Sequence, residues 1–207
     1  MRHLNAADAS NIVQFFNDSI IKLFGCLAYD KVLLLASDAA PYMKRAGKIL
    51  TESFTKLIHI TCVAHGCHNV ADEIRKKFLC VNSLISECKK IFLKAPNRVM
   101  QFHRETEIRL PPEPIITRWC SWIDAACYYA DNYEIIEKIV KQFDPEEATA
   151  IEKCQKLFSE KLKSDIVFIS SNFRVISDTI TKLEARKLKI SESISLVEAS
   201  FRVEWKY

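Results

Sequence analysis

Apolar residues recur at helical spacing along most of the chain, and two short runs break that rule. Residues 5–24 place Ile12, Phe15, Phe16, Ile20 and Leu23 on one face and predict a helix. Val32 to Ala36 is apolar without alternation, which predicts a strand covered on both faces. The run ends in Ser37-Asp38, and Pro41 suits the first turn of a helix over about 41–54 that buries Met43, Ala46, Ile49/Leu50 and Phe54. LIHITCVA at 57–64 is the second such run. Strands at 31–37 and 57–63 around one helix predict a right-handed parallel crossover. Two strands alone leave unpaired edges, which predicts self-association or a partner strand.

The pattern is helical from there on. Cys67, Val70/Ala71, Ile74 and Phe78 form the inward stripe of a helix over about 64–79. Val81, Leu84, Ile85, Cys88, Ile91/Phe92 and Ala95 do the same over 81–95, with Pro96 as the stop. Pro111, Pro112 and Pro114 predict an extended linker. Thr117 is the candidate N-cap of a long helix burying Trp119, Ile123, Ala126, Tyr129/Ala130, Tyr133, Ile136, Val140 and Phe143, stopped by Asp144-Pro145. Leu162, Ile166, Ile169, Phe173, Ile176, Ile180 and Leu183 step by 4, 3, 4, 3, 4 and 3, a seam for another helix. A last amphipathic stretch covers about 191–205.

Composition narrows the classes. With only 3 glycines in 207 residues, a turn-rich sandwich and a phosphate-cradling glycine loop are both disfavoured. The opening MRHLNAADAS has no apolar signal core, and VLLLA at 32–36 is too short to cross a bilayer, so no membrane role is expected. The 8 cysteines sit mostly at core-like helical positions, which points to a reduced compartment, cytosol or nucleus. Net charge is a mild +4, yet Arg75, Lys76, Lys77, Lys89, Lys90, Lys94, Arg98 and Arg104 face a single acid, Glu87, along 75–104. That run reads either as a solvated face or as a phosphate-contacting surface.

The densest candidate chemistry is TCVAHGCHNVADEIR at 61–75. A helix turns about 100° per residue, which sets His65 roughly 200° from Cys67 and keeps them from sharing a metal. His65, His68/Asn69 and Asp72 form the polar face opposite Cys67. Structural zinc would need a second ligand pair, and no further CxxC or HxxxH is present. A metalloprotein centred on Cys62, His65 and His68 stays as a third reading, and Cys62 reads more simply as a small apolar residue at a strand end. Asp38 stands where an open α/β sheet places its chemistry, at the carboxyl end of a strand, although a helix-capping Asp occupies the same place.

Three stretches in fixed order, LLLASDAAPYM, HITCVAHGCHNVADEIR and LPPEPIITRWCSW, resemble the hAT superfamily of DNA transposases over most of residues 5–185. The resemblance implies an RNase H-like core interrupted by a helical insertion, with a carboxylate triad holding two Mg²⁺ or Mn²⁺ ions. Asp38 matches the second triad carboxylate and is the one metal-ligand position of that site found here. Cys62 and His65 match the family's CxxH motif, whose histidine lies near the scissile phosphate. Arg118 and Trp119 match its RW motif, implicated in holding DNA, although Trp119 equally suits a core anchor. The first triad Asp would precede residue 5 and the Glu would follow the insertion, so one carboxylate of three is matched.

These expectations combine into a mixed fold class, α/β plus all-α. A partial RNase H-like core is expected at 1–104, a Pro-rich linker at 105–116 and the start of a helical insertion at 117–207. The implied chain is transposase-derived, nuclear rather than cytoplasmic, inactive by itself, and without tightly bound Mg²⁺ or Mn²⁺. DNA contact is expected through Arg75, Lys76, Lys77, Lys89, Lys90, Lys94, Arg98, Arg118 and Trp119. The alternatives are a protein-interaction module using the helical seam, and part of an active transposase.

Overall fold

The computed structural model describes residues 8–114, 120–185 and 188–201. The chain divides into two compact units, one ending at Gly66 and one beginning at Cys67. The fold is mostly helical with one pair of short parallel strands among the described residues.

In the first unit, α1 (Ala9–Phe24) is opened by Asp8, whose carboxylate accepts the Asn11 backbone N–H at 2.9 Å. It closes at Gly25 in the left-handed region (φ 77°), a position that favours glycine. Strand β1 (Leu34–Ser37) and strand β2 (Ile58–Thr61) flank α2 (Pro41–Ser53), which has proline in its first turn. The strands pair in parallel with Leu34 opposite Ile58 and Ser37 opposite Thr61, as the crossover requires. Ile20, Ala28, Leu50, Phe54 and Leu57 form the core, and Phe16 meets the Phe54 ring edge-on at 5.4 Å.

Two expectations for this unit fail. The strands are covered on one face only: Leu34 is 54% exposed, Ile58 63% and Ile60 45%. The bare side carries Leu34, Ile58 and Ile60, and the opposite side of β2 is the polar His59 and Thr61, so the apolar pattern does not mark the covered side. On α1, Phe15 and Leu23 are exposed, because the packed stripe is the narrower one of Val13, Phe16 and Ile20.

The second unit holds the main core. Helix α3 (Val63–Lys77) contributes Cys67, Ala71 and Ile74, and α4 (Leu79–Phe92) buries Val81, Leu84, Ile85, Cys88, Ile91 and Phe92. Pro96 does end one helix, and it also begins another, α5 (Pro96–Glu105), which the hydrophobic pattern did not predict. The joint turns on Lys94 at φ 54°, and Phe102 of α5 packs edge-on against Phe92 at 5.1 Å. Helix α6 (Ser121–Gln142) packs along α8 (Glu160–Leu183), while α7 (Thr149–Leu157) packs on α4 and α9 (Ile190–Phe201) on α8. The predicted stripe on α8 is buried from Leu162 to Ile180, and Ser159 caps that helix by accepting the Leu162 N–H at 3.2 Å. Helix α6 loses helical geometry at Asn132, whose side-chain amide donates to the Tyr128 carbonyl at 2.8 Å.

The proline-rich stretch is no free linker. Ile108 and Leu110 pack on the core of this unit, Pro111 is buried, and the Tyr128 hydroxyl donates to the Arg109 carbonyl. Prolines fix an extended backbone without fixing exposure, and the apolar residues among them supply the attachment. The division of the chain thus falls inside α3, not at 105–116, and α4 and α5 belong with the helices that follow.

Two substitutions test these packings. A Cβ on Gly47 would lie 2.0 Å from Nδ1 of His59, a ring held from its other nitrogen by Ser37 at 2.8 Å. Gly47→Ala should therefore cost about 1–3 kcal/mol by denaturant unfolding, and almost nothing in a His59→Ala background; equal cost in both backgrounds contradicts the clash. Cys67 is 2% exposed, so Cys67→Asp should destabilise the second unit by about 2–4 kcal/mol. A smaller loss in chemical denaturation would place Cys67 outside the core.

Candidate functional site

The sequence candidates fall into three places, each lying within one unit. At the carboxyl ends of the strands, the Cys62 N–H donates to the Ser37 carbonyl at 2.7 Å and sets Cys62 beside the Ser37-Asp38 turn. Asp38 is half-buried, and its Oδ1 accepts the Ala40 N–H at 3.1 Å, which makes it the head of a turn just before α2. Ser37 is buried; its hydroxyl donates to the Asp38 carbonyl at 2.9 Å and lies 2.8 Å from Nε2 of His59. With that hydroxyl proton committed to Asp38, the His59 Nε2–H donates to Ser37. This serine–histidine contact had no signal in the sequence beyond two polar residues in apolar strands, and it makes the Ser37-Asp38 turn rigid. His65 is half-buried on the first turn of α3.

The family resemblance implies Mg²⁺ or Mn²⁺ at Asp38. One Asp38 oxygen accepts a backbone N–H, and among the described residues no three His, Cys, Asp or Glu side chains gather as a metal site would require.

The second place is the far side of the same cysteine-histidine stretch, in the helical unit. His68 does not simply face solvent: its Nδ1 accepts the Cys120 N–H at 3.4 Å at the start of α6, and its Nε2 lies 3.6 Å from Asp72. Cys120 adopts the left-handed region (φ 51°), a strained conformation for a residue with a Cβ. Its thiol lies against the Cys67 carbonyl, and burial, then Cys67, Asp124 and Asp72, push its pKa up to about 12. A thiol held neutral is a poor nucleophile.

The basic run forms the third place. Lys76 pairs with Glu73 at 2.5 Å, Lys90 with Glu87 at 2.7 Å, Lys89 with Glu113 at 3.5 Å, Arg98 with Glu147 at 2.8 Å and Arg104 with Glu105 at 3.9 Å. Arg98 also donates to the Ile91 carbonyl. Four of these acids lie outside 75–104 in the chain and were not counted when charge was read along it. Arg75 donates to neutral Asn82 at 2.7 Å, and Lys77 and Lys94 form no ion pair among the described residues. Arg118 and Trp119, as well as Thr117, lie outside the described residues.

Comparison with protein-family models, with curated proteins and with solved structures gives no match. No helix among the described residues is long and apolar enough to cross a membrane.

Thiol chemistry checks the arrangement. Cys26 and Cys80 are exposed, Cys62 half-buried, and Cys67, Cys88, Cys120, Cys127 and Cys154 buried. At pH 8 a Cys120 thiol raised to about 12 is thiolate in roughly one molecule in 10⁴. An aromatic disulfide reagent should modify Cys26 and Cys80 at once, Cys62 more slowly, and the other five only on unfolding. Labelling of Cys120 at the rate of Cys80 in a mass-spectrometric time course contradicts this site.

Proposed function

We propose that this chain is transposase-derived, corresponds to the central part of a hAT-type DNA transposase with an RNase H-like core, and contacts DNA without cutting it. The observation that carries the proposal is the meeting of two of the three quoted stretches: Asp38 at the end of β1 and Cys62 at the end of β2 are brought together by the Cys62–Ser37 hydrogen bond, in parallel strands joined by one helix. The cleavage half of the activity is left out because, among the described residues, no group of three potential metal ligands gathers at Asp38 for in-line phosphodiester chemistry.

DNA contact would rest on Arg75, Lys77 and Lys94, the cations of the basic run that form no ion pair among the described residues, and on Arg118 from the RW motif; a nuclear location follows from such a role. The paired lysines contribute less, since each brings a carboxylate with it. The competing module, in which the α8 seam recruits a protein partner, is disfavoured because that seam is buried along α6.

Two measurements test the reading. With three to four cations at the interface, log affinity for duplex DNA against log salt should have a slope of about −3, and Arg75→Ala with Lys77→Ala and Lys94→Ala should flatten it to near −1. A slope unchanged by the triple substitution removes these residues from the interface. In a supercoiled-plasmid assay with Mn²⁺ the chain should not nick DNA, and Asp38→Ala should leave binding unchanged. Nicking that depends on Asp38 would overturn the non-cutting assignment.

A further inference from the structure

A cavity of about 520 Å³ opens in the helical unit between α3, α4 and the start of α6, a size typical of small-molecule sites. Its apolar wall includes Ile85, Pro114 and Trp122, and its polar wall includes Arg75, Lys89 and Asp72. Both carboxylates of the lining already face a basic group: Asp72 lies 3.6 Å from His68, and Glu113 lies 3.5 Å from Lys89. The groups left without an acceptor of their own kind are donors. Arg75 uses its Nε on the neutral Asn82 side chain and faces no carboxylate among the described residues. Trp122 is 5% exposed, and its indole N–H has no acceptor among the described residues. A guanidinium with two free terminal nitrogens is matched by the paired oxygens of an oxyanion.

We propose that this cavity binds a small organic anion, a carboxylate or phosphate monoester on an apolar body. The oxyanion would sit on Arg75 with support from Lys89, and the body on Ile85, Pro114 and Trp122. The inference rests on the cavity and not on the transposase reading, and it stands if DNA binding fails.

Calorimetric titration of the full chain with benzoate, phenyl phosphate, inorganic phosphate and benzyl alcohol tests it. One-to-one binding of benzoate or phenyl phosphate is expected, and the tighter of the two identifies the acid class. Inorganic phosphate, lacking the body, and benzyl alcohol, lacking the charge, should each bind at least tenfold more weakly. Arg75→Met should weaken the bound acid roughly ten- to hundredfold, and Lys153→Met, exposed on α7 and outside the cavity lining, should leave it unchanged. Arg75 is exposed and Lys89→Met provides a second variant, so a thermal melt separates lost binding from lost folding. Absence of saturable binding by both acids, equal binding of benzyl alcohol or inorganic phosphate, or indifference to both Arg75→Met and Lys89→Met would each overturn the proposal.

Discussion

The helical unit depends on the seam between α6 and α8. Both helices span more than five turns; Ile123, Ala126, Tyr129, Tyr133, Ile136 and Val140 are buried on α6 and Leu162, Ile166, Ile169, Phe173, Ile176 and Ile180 on α8, and Asp124 with Ser177, Asp131 with Arg174 and Glu134 with Lys163 tie the two together. Burying a side chain of this size contributes about 1.5–3 kcal/mol, and the repeat of the stripe fixes the register of the two helices. The other features of the unit attach to that seam or its neighbours: the α4–α7 layer, the proline strap held by Tyr128, and the cavity wall built from Trp122. Tyr129, whose hydroxyl is buried among Cys88 and Cys154, has its pKa raised well above the ordinary value by burial first, so the centre of this core stays uncharged.

The sheet unit is built on a thinner basis. Its core is Ile20, Ala28, Leu50, Phe54 and Leu57, and its parallel strands, an arrangement that usually has helices on both faces, expose Leu34, Ile58 and Ile60 on one of them. Local devices do much of the ordering: the Gly47–His59 contact, the Ser37 hydroxyl shared with His59 and Asp38, and the Asp38 turn before α2. These devices fix the strand-end turn where the sequence placed its chemistry, which is why Asp38 serves the backbone in this structure.

Legibility differed between the units for a physical reason. Helical periodicity records one buried face, and the stripes of α3, α4, α6 and α8 were read almost residue for residue. The unalternating run of β1 records two apolar faces and says nothing about whether both find cover, and in β2 the apolar Ile58 and Ile60 lie on the bare side with His59 and Thr61 opposite. Proline is ambiguous in the same way. Pro96 both stops α4 and starts α5, and Pro111 is buried where a loose joint was expected. The candidate sites failed where chain distance stood in for spatial distance. Glu113 and Glu147 neutralise Lys89 and Arg98 from outside the basic run, and His68 meets Cys120 across more than fifty residues.

The central claim is that the helical unit is held by its own seam while the sheet unit, with one bare face, is held mainly by local contacts. Residue-resolved hydrogen exchange under native conditions tests it most directly, because protection reports the free energy of opening each element. The account predicts that amides of α6 and α8 exchange only through global unfolding of their unit, and that amides of β1 and β2 exchange at least a hundredfold faster, a gap of about 3 kcal/mol. Protection of β1 and β2 equal to that of α6 and α8 would contradict it.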